Sequence, residues 1–233
     1  MPDRIPERWV LASASPRRQR LIQLLGHPVE VLRVSIDETP EPDEDPGSCA
    51  ARLALAKAVA GARLAPDALI LAADTVVDLD GRILGKPENV QEARAMLQAL
   101  RGRPHAVHTA VALYLPRRDE HLLEVATTGV WMRPYTEEEI EAYLATGDPL
   151  DKAGAYAIQH PEFRPAQGVE GCYAAVVGLP LCHLARALRR WGWSPPEDLP
   201  ARCQSILEQS CFVYPEILAG GGYGRHPGDL GAP

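Results

Sequence analysis

The stretch Leu69-Ile70-Leu71-Ala72-Ala73-Asp74-Thr75-Val76-Val77 is apolar almost throughout. A half-exposed strand alternates apolar with polar residues, and a surface helix leaves a polar stripe. This run does neither, so it predicts a strand covered on both faces. Such a strand needs a layered sheet, which points to an α/β architecture. Its single carboxylate, Asp74, breaks the pattern. An acid inside a buried strand is costly unless it is paired, hydrogen-bonded or metal-bound. Asp74 is therefore either a functional acid or one half of a structural salt bridge.

The rest of the chain supplies the layers. Arg8–Ala12 reads as a strand that passes through small residues into a helix carrying Leu21, Ile22, Leu24 and Leu25, closed by Gly26. A short strand at Val29–Val34 precedes an acidic, proline-bearing loop, Asp37–Pro46, expected to be exposed and mobile. The alanine-rich segment 48–64 predicts a helix. Asp80-Gly81 signals a hairpin into Arg82–Leu84. Asn89–Leu100 and Thr136–Gly147 predict helices, with capping-box spacing at Asn89/Glu92 and Thr136/Glu139. Alternating stretches at 105–115 and 121–133 predict an antiparallel pair. Residues 173–177 read as a strand and 181–191 as an amphipathic helix. The mixed order implies one α/β domain, 1–193, built on a mixed sheet. After Trp193 come Pro195-Pro196 and Gly220-Gly221-Gly222, so 194–233 reads as a partly disordered appendage.

Charge and cysteines narrow the function classes. The 233-residue chain carries a formal net charge of −7, which gives no global basic field for nucleic acid or an anionic membrane. Any phosphate site must then be a local basic cluster. No apolar run approaches the length of a membrane span, and Met1-Pro2-Asp3-Arg4 lacks the layout of a signal peptide. Five cysteines at irregular spacing, with no Cys-x-x-Cys, argue against a disulfide framework or structural zinc and for a reducing cytoplasm.

Besides Asp74, two features break local rules. In Ser13-Ala14-Ser15-Pro16-Arg17-Arg18, Ser15 suits an N-cap and Pro16 the first helical position. Arg17 and Arg18 then fall where the helix dipole disfavours cations, unless an anion binds there too. The competing reading is a pair of solvated arginines. Lys57 rises from an apolar stripe with Leu53, Ala60 and Leu64, where a lysine ordinarily snorkels to water. Lys86 places another cation on the loop after the hairpin. Several motif-like strings do not hold. Gly81–Lys86 has the wrong glycine spacing for a phosphate loop, with Pro87 in place of Ser or Thr. Asp78-Leu79-Asp80-Gly81 resembles a dehalogenase-type phosphatase nucleophile, but the hairpin explains it better. His105 and His108 fall on opposite strand faces.

In this order, these strings resemble the Maf family of nucleotide pyrophosphatases, over about Trp9 to Trp191. The resemblance rests on Leu11–Arg18, Asp37-Glu38, Ala56-Lys57-Ala58, Ala73–Val77, Gly85-Lys86-Pro87, Pro149–Gln159 and Val177–Leu181. It implies a twisted mixed sheet with flanking helices and two lobes around a cleft, a fold of the inosine-triphosphatase kind. It also implies cleavage between the α- and β-phosphates, a divalent metal (Mg²⁺, Mn²⁺ or Co²⁺) and a homodimer. In that picture Ser13, Arg17 and Arg18 hold phosphates, Lys57 and Lys86 act as point charges, and Glu38 and Asp74 supply carboxylates for catalysis or metal binding. Asp74 is either the base that activates water or a metal ligand. Gln159 is suited to reading a base edge. Asp151–Tyr156 resembles the branch acting on dTTP and UTP.

The chain departs from that branch at His160-Pro161-Glu162-Phe163 and at Cys172, both expected to flank the base pocket. The competing functional reading is a nucleotide-binding regulator of cell division without significant catalysis.

Overall fold

A computed structural model describes residues 5–221. Among them a seven-stranded sheet runs in the order β2-β1-β3-β5-β6-β7, with β4 paired to β3. Strand β1 (Trp9–Ala12) lies parallel to both β2 (Val29–Leu32) and β3 (Leu69–Leu79). The remaining pairs, through β4 (Arg82–Leu84), β5 (Pro104–Leu115), β6 (Glu120–Met132) and β7 (Ala166–Glu170), are antiparallel. The architecture is thus α/β on a mixed sheet, as expected from the sequence.

The central run is apolar throughout because each face of β3 meets a different layer. Leu69, Leu71 and Ala73 join Trp9 and Leu11 in one core. There they meet α1 (Pro16–Ile22), α5 (Tyr173–Val177), α6 (Leu181–Arg190), α7 (Leu199–Leu207) and α8 (Tyr214–Leu218). Ile70, Ala72 and Val76 join Val10 and Ala12 under α2 (Pro46–Leu64). That helix sits close. A Cβ on Gly61 would lie 3.0 Å from the Ala12 Cβ and 3.1 Å from Ile70, so a neighbour would have to give by a few tenths of an ångström.

A second lobe forms where β3 emerges. Val77, Leu79, Leu84, Val107 and Val130 pack there with α3 (Val90–Leu100) and α4 (Glu137–Ala145). Both helices start on side-chain caps. Asn89 accepts from Glu92 N at 2.9 Å, and Thr136 and Glu139 form a reciprocal box. At the β3–β4 hairpin Asp80 and Gly81 both take positive φ, at 54° and 83°.

Two expectations change. Residues 173–177 form the one-turn helix α5, not a strand. The strand on that side is β7, pairing Val169 with Val130. Its sequence, Ala166-Gln167-Gly168-Val169-Glu170, has weak strand propensity, and the free edge of β6 supplies the pairing instead. The segment after Trp193, read as an appendage, carries α7 and α8, whose Leu199, Leu207, Val213 and Ile217 are buried against the core. Residues 222–233, the other part of that expectation, lie outside the described residues.

Candidate active site

Strand β1 stops at Ala12, beside the first half of its parallel neighbour β3, which runs on to Leu79. A ligand crevice in an α/β sheet forms at such carboxyl ends. A cleft of about 490 Å³ opens there between the two lobes, within the usual range for small-molecule sites.

One wall is the turn from β1 into α1. Ser13 is buried and its Oγ accepts from Ser15 N at 3.2 Å, while Ser15 caps α1 by accepting from Arg18 N. Arg18 is not a solvated residue. Its Nε donates to the Gly178 carbonyl at 2.8 Å and its Nη2 to Thr75 Oγ1 at 3.0 Å. Thr75 pairs with Thr109, which donates to the Ala175 carbonyl. Burial lowers the Arg18 pKa, and the nearby charge of Asp74 works against that. Arg17, half-buried, lines the same wall with no ion pair among the described residues.

The opposite wall follows from strand parity. Asp74 shares the face of Ile70, Ala72 and Val76, so it points at α2. On that helix Cys49, Leu53, Lys57 and Gly61 recur every fourth residue and face inward. Lys57 is therefore buried, and it meets Asp74 in a short ion pair. Its Nζ also lies 2.6 Å from Glu38 Oε1. The other Glu38 oxygen is 2.7 Å from Lys86 Nζ, so Glu38 bridges two lysines. Burial by itself would raise the Glu38 carboxyl, but hydrogen bonds from Lys57 and Lys86 outweigh it and hold the pKa at about 2.

Arg17, Arg18, Lys57, Lys86 and Lys152 line the cleft against Glu38, Asp74 and Asp151, so it is locally cationic in a chain of net charge −7. Among the described residues no group of three His, Cys, Asp or Glu side chains gathers to hold a metal. Two carboxylates do converge on one cation, the Lys57 ammonium. A hard-oxygen pair of this kind fits a divalent ion that takes its remaining ligands from phosphates and water.

The far end of the cleft is built from loop. Gln159 lines it, exposed, its amide without a hydrogen-bond partner among the described residues. Lys152 is buried beside it, held by the Asp148 carbonyl at 2.6 Å and carboxylate at 2.8 Å. The unusual His160–Phe163 segment closes this loop. His160 Nδ1 accepts from Phe163 N at 3.0 Å, and the Phe163 ring stacks on Tyr143 at 4.3 Å. Arg133 binds the carbonyls of Phe163 and Arg164, both at 2.7 Å. Cys172, expected beside the base pocket, instead lines a separate cavity of about 230 Å³ with Cys182, Cys203 and Cys211. All five thiols are free. Asp78 lies outside the cleft lining, accepting from Gly81 N at 2.6 Å and facing His108, in keeping with a hairpin role.

Every site residue named from the sequence (Ser13, Arg17, Arg18, Glu38, Lys57, Asp74, Lys86 and Gln159) lines this one cleft. Sequence reasoning missed Thr75 and Thr109, which hold Arg18, and gave Lys152 no role. Only the Asp148-Pro149-Leu150-Asp151-Lys152 spacing, acids within four residues of a lysine, could have signalled the last.

Fold and site together define an α/β protein with a cationic, carboxylate-bearing cleft where β1 ends against the middle of β3. Residues 8–191 match the Maf-like protein family, and the chain belongs to it. Among curated relatives, the dTTP/UTP pyrophosphatase of Thermomicrobium roseum is 49% identical over 200 residues, covering 84% of this chain and 91% of that protein. The dTTP/UTP pyrophosphatase of Citrifermentans bemidjiense is 47% identical over 180 residues, covering 77% and 93%. That of Bacillus cytotoxicus is 42% identical over 185 residues, covering 79% and 96%. Among solved structures, the Staphylococcus aureus Ham1 protein overlaps 55% of this chain and 72% of its own at a TM-score of 0.39 and 18% identity.

Proposed function

We propose that this protein hydrolyses dTTP and UTP to the nucleoside monophosphate and pyrophosphate. The observation that carries the chemistry is the meeting of Glu38 and Asp74 at Lys57, facing Arg17 and Arg18 across the cleft. The curated relatives' names supply the substrate.

Arg17, Arg18 and Lys86 receive the triphosphate, whose charge the acidic chain elsewhere would repel. Arg18 is preorganised by Gly178 and Thr75, so its fork reaches the phosphate oxygens with little reorganisation. Water attacks the α-phosphorus, the bond to the bridging oxygen breaks, and pyrophosphate leaves. Asp74 takes the proton of that water; Lys57 beside it balances charge as the proton moves. A divalent cation held by Glu38 and Asp74, with Mg²⁺, Mn²⁺ and Co²⁺ all suited to oxygen ligands, would supply charge neutralisation on the phosphates. Gln159 presents its amide to the base at the far end, and Lys152, tied to Asp148 and Asp151, braces the loop beside it. The same reading includes a homodimer working in the cytoplasm, with no nucleic-acid or membrane partner; no described helix is long and apolar enough to cross a membrane.

The test is a panel of nucleoside triphosphates with each metal, the products separated by chromatography. Monophosphate plus pyrophosphate from dTTP and UTP is the expected result. Tight nucleotide binding that survives Asp74→Asn, with no product under any metal, would sink the enzyme and leave a binding protein.

A further inference from the structure

Glu38 lies on no regular element. It belongs to the acidic segment between β2 and α2, where prolines and repelling carboxylates predict mobility, yet one side chain gathers that segment. Arg52, on α2 ahead of Lys57, places Nε 2.6 Å and Nη2 2.7 Å from the two oxygens of Glu44, a bidentate pair. The same Nη2 reaches the Thr39 carbonyl at 3.2 Å, and Glu41 is 3.6 Å from Nε. Glu44 is nearly enclosed, its side chain 9% exposed. Thr39 is the residue after Glu38, and its amide also donates to Asp37 at 2.9 Å. Glu38 itself is held by Lys57 and Lys86, the cations a polyphosphate would compete for. An anchor that substrate does not compete for is therefore needed, and Arg52 is absent from the cleft lining.

We propose that Arg52 is a positioning residue for Glu38, fixing the 37–45 segment through Glu44 and the Thr39 carbonyl so that the carboxylate keeps its place when triphosphate engages the lysines. The inference rests on the pyrophosphatase reading for its kinetic consequence, and on geometry alone for the anchor.

Arg52→Gln and Glu44→Gln each remove the fork. Amides of residues 38–44 should exchange hydrogen about tenfold faster in either variant, with the Leu53–Leu64 half of α2 unchanged. The kcat for dTTP should fall about 10- to 100-fold with KM moving less than about threefold, because Glu38 is misplaced and the phosphate-binding cations remain. Arg52→Lys, which keeps the charge but not the fork, should recover part of kcat. In a Glu38→Gln background, Arg52→Gln should cost less than about threefold more, since it acts through the residue already lost. Multiplying losses, an unchanged kcat, or unaltered exchange would each overturn the proposal. If Arg52→Gln does not fold, Glu44→Gln, on the loop side, decides. If the wild-type protein turns over no triphosphate, the pyrophosphatase reading falls, and exchange alone decides the anchor.

Discussion

The two ends of the cleft are held in opposite ways. At the phosphate end, three charged groups stand on regular elements: Lys57 on α2, Asp74 on β3, and Arg18 on α1 tied to Thr75 and Gly178. The loop residues Glu38 and Lys86 close onto them by ion pairs. At the base end the backbone is irregular, turning at Gly154 and Ala155 with positive φ, and fixed by packing of Phe163 between Tyr143 and Tyr135 together with the Lys152–Asp148 pair. On the proposed reading, most of the reaction chemistry common to all nucleoside triphosphates sits on the rigid frame, with Glu38 the exception that Arg52 anchors. On the same reading, recognition of the base sits on loop, where substitutions leave the sheet intact. If the comparison is right, changes at one end should act on turnover and changes at the other on selectivity.

The largest effect belongs to Asp74→Asn. It keeps shape but removes the charge facing Lys57, and kcat should drop by about 10²–10⁴-fold while the protein stays folded, as read by pyrophosphate release and circular dichroism. Leaving the buried Lys57 with Glu38 alone should also cost about 3 kcal/mol in urea unfolding. Next comes Arg18→Lys. A lysine cannot bond Gly178, Thr75 and a phosphate at once, so kcat/KM should fall about a hundredfold, and equally for dTTP, UTP and any purine triphosphate. A loss that differed among bases would break the division between the ends.

That division also governs what could be read from the sequence. Asp74 was legible because a carboxylate in an apolar run is locally anomalous, and Arg17-Arg18 because cations at a helix start are. Glu38 sits in an ordinary acidic loop, and only the family resemblance singled it out. Lys57 sat on an apolar stripe, where a snorkelling lysine and a buried one look alike; only its partners, 17 and 19 positions away, separate the two. The groups that hold Arg18 were invisible for the same reason, since Thr75 and Gly178 lie 57 and 160 residues from it. The long helices were plain from alanine content and capping boxes, and the central strand from its unbroken apolar run. Strand β7 and helix α5 were not, because short elements of mixed propensity take their conformation from the edge they join.

At the base end, Gln159→Ala should sharpen the contrast. Its amide holds no protein group, so nothing in the fold depends on it, and stability should be unchanged. Loss of one neutral hydrogen bond to the base should raise KM for dTTP and UTP about tenfold, with kcat within about twofold. A fall in kcat matching that of Arg18→Lys would mean that the two ends are not separable.

The smallest effect leaves activity at neutral pH untouched and reads the packing beneath the base end. His105 is buried under it, its Nε2 2.7 Å from the Tyr156 hydroxyl and its Nδ1 without a hydrogen-bond partner among the described residues. Burial pushes its pKa from 6.5 down to about 3. The folded state therefore stays unprotonated while the unfolded chain takes up a proton below pH 6.5. The stability this neutral ring allows is complete above pH 6.5 and is lost as pH falls from there toward 3, about 2 kcal/mol of it by pH 5. His183, lowered by burial to about 4, contributes with the same sign, so the test is a difference. Urea unfolding at pH 7, 6 and 5 should show a steeper decline for the wild type than for His105→Gln, which can still bond Tyr156 but cannot titrate. Equal slopes would mean that His105 meets water or a proton acceptor in solution, and that the packing beneath the base end is not closed.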